Sequence, residues 1–257
     1  MVIKMKNIAM KLTFVGTNYH GWQIQKTEKT IAGTLEAAIA DLCGHEVKLV
    51  GCGRTDAGVH AKTYCANFKT NSTIPPEKLP LAVNALLPQD IVVEQATEVP
   101  ENFNAILSCT KKQYTYRIYN SRIRNPFEAN RAYFYPRPLD IEKIKQAAQH
   151  FVGMRDFAAV RSVGTETKTT IRTVFEYEVE QKSPIVEFRA TADGFLYNMA
   201  RAMVGTLIYV SEGKIKPDDL PKLLKQRDRR LTGPTVPPDG LCMTKIWYEG
   251  EVGKMFN

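Results

Sequence analysis

No apolar run of about 18 residues occurs anywhere in this sequence, so it offers no ordinary membrane-spanning helix. Residues 1–11 carry lysines but lack the apolar core of a secretory signal, and residence in the cytoplasm is the expectation. Cysteine is sparse and poorly spaced for structural use. The five cysteines, Cys43, Cys52, Cys65, Cys109 and Cys242, are odd in number and include no Cys-x-x-Cys pair, which argues against a disulfide framework and a zinc ribbon. Cys52, His60 and Cys65 fall near one another, but their spacing matches no familiar metal motif; reduced, buried thiols explain them better. There is no tight internal repeat and no polybasic tail.

What is present is an ordinary core composition with a basic surplus. Of 257 residues, 44% are apolar and 24% charged, enough to bury a sizeable core. Lysine and arginine number 35 against 27 acids, a formal charge of +8. Such a surplus suits a polyanionic partner, because each phosphate contact releases condensed counterions; a merely soluble basic protein is the competing reading. Clusters at residues 122–131 and 222–230 are candidate phosphate contacts or, alternatively, solvated faces.

Periodicity outlines mixed α/β structure. Ile8, Met10, Leu12 and Phe14 alternate as in a half-buried strand. Thr30 is placed to cap a helix carrying Ile31, Leu35, Ala38, Ile39 and Leu42 on one face, with Gly44 as its terminator. Strands are expected over 47–50, near 63–69 and over 91–99, and a helix from Pro75 to about residue 87. Tyr114, Tyr116 and Ile118 mark one face of a strand over 111–119. Residues 120–138 read as a long surface connection dividing two halves, 1–110 and 111–257. In the second half, a helix begins at Ile141, a strand at Ile171 has a hairpin partner over 186–190, and Leu196, Met199, Met203 and Leu207 line a further helix. A basic helical stretch over 214–230 and a strand over 241–248 close the chain.

The densest chemistry lies in Gly51-Cys52-Gly53-Arg54-Thr55-Asp56-Ala57-Gly58-Val59-His60-Ala61, a glycine-rich loop between strands. Asp56 occupies the position where a dinucleotide fingerprint needs its third glycine, and the Gly-Lys-Ser/Thr of a phosphate loop is absent. Asp56 is the one acid of the segment, which fits neither a two-metal site nor a serine hydrolase elbow. What remains is a carboxylate beside an arginine. Generic physics reads that pair as a loop salt bridge or turn cap, or as a nucleophile with a cationic neighbour.

The segment from Gly53 to Ala61 resembles the signature of the bacterial TruA family of tRNA pseudouridine synthases. Tyr19-His20-Gly21-Trp22-Gln23 resembles that family's early motif, residues 114–120 its central strand, 195–205 with Arg201 its later helix, and Pro237-Pro238-Asp239-Gly240-Leu241 its closing motif. These segments occur in order across nearly the whole chain.

The resemblance implies an α/β (α+β) fold of two similar lobes sharing a continuous, mainly antiparallel sheet, with helices on one side and a central active-site cleft. It implies a homodimer acting on the anticodon stem-loop of tRNA at positions 38, 39 and 40, with no metal or organic cofactor. Asp56 would be the catalytic carboxylate. Tyr114 would stack on the target base, Arg201 would pair with Asp56, and Arg54 would fill the space of an everted nucleotide or contact its phosphate, unless it is only a structural partner of Asp56. His20, Trp22 and His60 would touch RNA or organise the loops behind the site. Two other functions remain open to a chain of this composition: a non-catalytic tRNA-binding protein of the same fold, and a metal-dependent nuclease.

Overall fold

The computed structural model describes residues 5–162, 164 and 167–256. Residues 1–4, part of the segment read for a secretory signal, lie outside that set. In chain order the elements begin with β1 (Lys6–Phe14), α1 (Ile31–Cys43), β2 (Val50–Gly51), β3 (His60–Thr70), α2 (Leu79–Asn84) and β4 (Ile91–Val99). Next come β5 (Cys109–Asn120), β6 (Tyr133–Tyr135), α3 (Ile141–Ala148), β7 (Gly153–Asp156), β8 (Ile171–Lys182), β9 (Ile185–Ala192) and α4 (Met199–Ser211). The last are α5 (Leu220–Lys225), β10 (Leu241–Tyr248) and α6 (Gly250–Lys254). Among the described residues no helix is long and apolar enough to cross a membrane.

Packing divides the chain into two units, Met1–Thr110 with Met243–Asn257, and Lys111–Cys242. The sequence division at residue 110 therefore needs one correction, because the closing segment packs with the first unit. The cause is apolar burial: Met243, Ile246 and Tyr248 are buried, the Tyr248 hydroxyl donates to the Ala105 carbonyl (2.6 Å), and its ring lies 5.5 Å from Phe103.

In the first unit β1 is paired antiparallel on both sides, with β3 and with β4, and β10 lies beyond β3. Its alternating residues Ile8, Met10, Leu12 and Phe14 are all buried. α1 follows the local signals closely. The Thr30 side chain accepts from the Gly33 amide (3.2 Å), and Gly44 ends the helix at φ +73°. The strand expected over 47–50 is reduced to the two residues of β2. Its lost member Leu49 gives its amide to the Glu36 carboxylate on α1 (2.8 Å) instead of to a neighbouring strand. The helix expected from Pro75 splits into a 3-10 turn, Pro76–Lys78, and the short α2. It stops where the Asn84 side chain bonds both the amide and the carbonyl of Val93 on β4.

In the second unit the strand order is β5-β9-β8-β7, antiparallel throughout, and β6 adds to β5 in parallel. Cross-strand pairing puts Tyr114 opposite Ala190 and Tyr116 opposite Phe188 on one face, which Phe151, just after α3, helps to cover by packing on Tyr177 at 5.6 Å. The other face carries a polar ladder in which Arg189 pairs with Glu178, Glu180 and Glu187. The connection expected over 120–138 is not plain coil, since it folds back into β6. The Asn120 side chain donates to the Tyr135 and Arg137 carbonyls (2.8 and 2.7 Å). Glu212, past the end of α4, holds the same segment: it receives Lys214, the Tyr135 hydroxyl and Arg137, and these bonds push its pKa down to about 2. The basic stretch over 214–230 is α-helical only in α5, which a 3-10 turn, Pro217–Asp219, precedes. Arg227 leaves the helix at φ +57°, and the Asp228 carboxylate caps the following 3-10 turn by accepting from the Arg230 amide (2.9 Å).

Candidate active site

Asp56 sits on a turn between β2 and β3 in the first unit. Three backbone bonds pin the segment: the Cys52 amide donates to the Cys65 carbonyl (2.8 Å), Trp22 to Thr55 (3.2 Å) and Gly58 to Tyr19 (3.2 Å). The Val59 amide returns to the Asp56 carbonyl (3.2 Å), closing a four-residue turn in which Gly58 takes φ +82°. Gly21, at φ +77°, lets the early loop press against this turn, because a Cβ there would lie 2.2 Å from the Thr55 carbonyl oxygen. The backbone is thus fixed before any side-chain contact is counted. From it Asp56 projects half-buried and Arg54 exposed.

Trp22 and His60 organise this loop. Both are buried; the Trp22 ring lies 4.4 Å from that of Tyr64, and His60 Nδ1 accepts from the Gly16 amide (3.0 Å), which leaves its proton on Nε2. The Tyr64 hydroxyl donates to the Gly53 carbonyl. His20 is exposed and pairs with Glu28 (3.2 Å). Among the described residues no group of three or more His, Cys, Asp or Glu side chains could hold a metal ion. Cys52 is instead packed against Met243, with 3.8 Å between the sulfurs.

Tyr114 and Arg201 belong to the second unit. Tyr114 is buried on β5, and the Phe195 ring meets it edge to face at 5.0 Å. That contact fixes the plane of a ring which, on β5 alone, would be an unremarked core tyrosine. Arg201 lies in the first turn of α4. Its Nε donates to the Val236 carbonyl (2.8 Å) and its Nη1 to Asn198 Oδ1 (2.8 Å).

Two positioning residues escape the sequence reading. Asn198 precedes α4 at φ +60°, a region asparagine tolerates better than other side-chain-bearing residues, and its Nδ2 donates to Ser162 Oγ (2.9 Å). An asparagine directly before an apolar helical run is the available signal. Arg229 binds Thr232 Oγ1 (2.9 Å), the Gly233 carbonyl (2.6 Å) and Thr235 Oγ1 (3.0 Å), and so shapes the loop that ends at Val236. Within the basic cluster over 222–230, Arg229 is therefore turned inward, while Arg227 pairs with Asp156 and Arg230 with Asp228.

A family model described as tRNA pseudouridine synthase matches residues 10–106 and 147–249, a span that includes Arg54, Asp56 and Arg201 but not Tyr114. The tRNA pseudouridine synthase A of Thermoanaerobacter sp. (strain X514) is 46% identical over 244 residues, covering 95% of this chain and all (100%) of that protein. The proteins of the same name from Caldicellulosiruptor bescii and Acetivibrio thermocellus are 45% and 43% identical over the same shares.

Proposed function

This chain belongs to the tRNA pseudouridine synthase family, and on that footing we propose that it isomerises uridine to pseudouridine at positions 38, 39 and 40 of the tRNA anticodon stem-loop, with Asp56 as the catalytic carboxylate. The observation that carries the reading is the Asp56 turn: a half-buried carboxylate on a backbone tied by three hydrogen bonds to β3 and to the early loop, inside the family-matched segment.

The reaction breaks the N1–C1′ bond, turns the uracil and joins C5 to C1′, moving one proton from C5 and returning one to N1. A carboxylate can attack C1′ or remove the C2′ proton, and both routes need it ionised. Arg201 is assigned to the same active site as its cationic group. The target nucleotide must leave its stack, which costs a few kcal/mol and less in a loop than in a stem. Tyr114, its ring plane set by Phe195, is assigned to hold the freed base by stacking, worth about 1–3 kcal/mol, while leaving it able to turn. Exposed Arg54 takes the vacated space or the flanking phosphate. The chemistry calls for no cofactor, and the enzyme acts in the cytoplasm as a homodimer.

Incubating the protein with unmodified tRNA transcripts and mapping pseudouridine by sequence position tests the assignment. Conversion confined to 38–40 is expected; conversion at other positions, or none, refutes it.

Asn198 provides a finer test of the Arg201 role. Removing its acceptor leaves one guanidinium donor without its charge-assisted bond, so Asn198→Gly, which keeps the positive φ, is expected to slow single-turnover conversion about tenfold with tRNA affinity unchanged. Asn198→Ala adds about 1 kcal/mol of backbone strain and should also lower thermal stability. Wild-type conversion rates in both variants would remove Asn198 from this role.

A further inference from the structure

We propose that the loop over residues 121–131 is a tRNA-binding arm, in which Arg122, Arg124 and Arg131 contact phosphates and Phe127 stacks on an unpaired base. The proposal rests on the reading of the chain as a tRNA-modifying enzyme and names a surface for it that lies away from Asp56 in sequence and belongs to the second unit.

The loop is built to hold its shape. Asn125 Oδ1 accepts from the Phe127 amide (3.0 Å) and starts a 3-10 turn, Pro126–Glu128. The Glu128 carboxylate pairs with Arg117 on β5 (3.2 Å), and Arg117 also donates to the Arg131 carbonyl (3.4 Å). The amides of Arg131 and Ala132 both return to the Glu128 carbonyl at 3.1 Å, and β6 follows at once. Glu128 is the only acid of the segment, and Arg117 engages it.

What the loop presents is then cationic and aromatic. Arg122, Arg124 and Arg131 are exposed and form no ion pair among the described residues. In the other basic cluster, by contrast, each arginine has an acid or a loop to bind. Phe127 is 90% exposed, whereas Phe14, Phe68, Phe151, Phe157 and Phe188 are buried. Leaving such a ring in water forgoes the stabilisation of burying it, and beside three exposed guanidinium groups it offers a flat face for stacking. Three unneutralised guanidinium groups select an anion for that face, and a flat ring among them suits a base attached to phosphates. A second copy of the same loop would set like charges together, which argues against self-association here.

Filter binding of unmodified tRNA over a salt series tests the arm. The triple variant Arg122→Gln, Arg124→Gln, Arg131→Gln should weaken binding by at least about tenfold and flatten the log–log salt dependence by about two. Phe127→Ala should weaken binding by about tenfold and leave the salt slope unchanged. Met154→Ala, which removes a comparably exposed apolar side chain elsewhere (75%), should bind as wild type does. All variants should melt with the wild type, since the altered side chains lie in solvent.

Wild-type conversion of uridine together with wild-type affinity in the loop variants would overturn the arm and leave the proposed activity standing. Absence of tRNA binding by the wild type would overturn both. Dissociation of a dimer by Phe127→Ala, with affinity per protomer unchanged, would make the loop a protein interface and overturn the arm as well.

Discussion

Asp56→Asn is expected to stop tritium release from C5-labelled uridine in tRNA, a loss of about 10⁴-fold or more, while tRNA binding persists. The substitution is nearly isosteric, so it isolates charge and nucleophilicity. The amide can neither form a cleavable ester with C1′ nor accept a proton from the ribose. The turn itself depends on backbone groups, namely the Asp56 carbonyl receiving Val59 and Gly58 at positive φ, and asparagine supplies the same backbone. Folding and affinity should therefore survive while turnover does not. Residual turnover within about tenfold of wild type would show that another group does the chemistry.

Gly205→Ala carries the second large effect, and it acts through packing. A Cβ at Gly205 would lie 1.8 Å from the Pro234 carbonyl oxygen, and one at Gly233 would lie 2.1 Å from the Gly205 carbonyl oxygen. α4 and the loop after Thr232 thus meet backbone to backbone, with no flexible side chain to give way. The loop must shift, and with it the Val236 carbonyl that receives Arg201 Nε. The expected results are a stability loss of about 3 kcal/mol, read as a melting point lower by roughly 6–12 °C, and a fall in turnover measured well below that melting point. Gly44→Ala is the comparison. A Cβ there meets nothing within 4 Å, so only the positive φ is penalised, at about 1 kcal/mol, and turnover should hold. Equal stability losses in the two variants would mean that the loop relaxes freely and that the close packing fixes nothing.

The parts of the fold that could be read from the sequence are those written locally. The alternation of Ile8, Met10, Leu12 and Phe14 marks β1 because side chains alternate across a strand, and Thr30 and Gly44 mark the ends of α1 because helix ends demand those groups. The parts that could not be read depend on distant partners. β6 exists because Ile118 pairs with Tyr133 and because the Tyr135 hydroxyl reaches Glu212. Residues 47–49 have strand-like composition, yet Glu36 on α1 takes the Leu49 amide. The closing segment joins the first unit through Tyr248 and Ala105, a contact with no local trace in the chain.

The candidate site divides along the same line. Asp56 and Arg54 stand in a compact motif that composition and spacing single out. Tyr114 looks like any inward-facing strand residue until Phe195 is seen at its edge, and the contacts of Arg201 with Asn198 and Val236 join residues that a helical pattern does not relate. Trp22 and His60, for which the sequence leaves RNA contact and loop organisation both open, are buried, with the Tyr64 ring and the Gly16 amide as neighbours that the local sequence does not reveal.

The most direct test of the central claim is nucleoside analysis of a tRNA transcript digested after incubation with the purified protein in chelating buffer and no added cofactor. Uridine should disappear and pseudouridine appear in equal amounts, with the mass of the tRNA unchanged and no conversion by Asp56→Asn. Unaltered uridine, cleavage of the strand, or equal conversion by the variant would contradict a carboxylate-driven isomerisation.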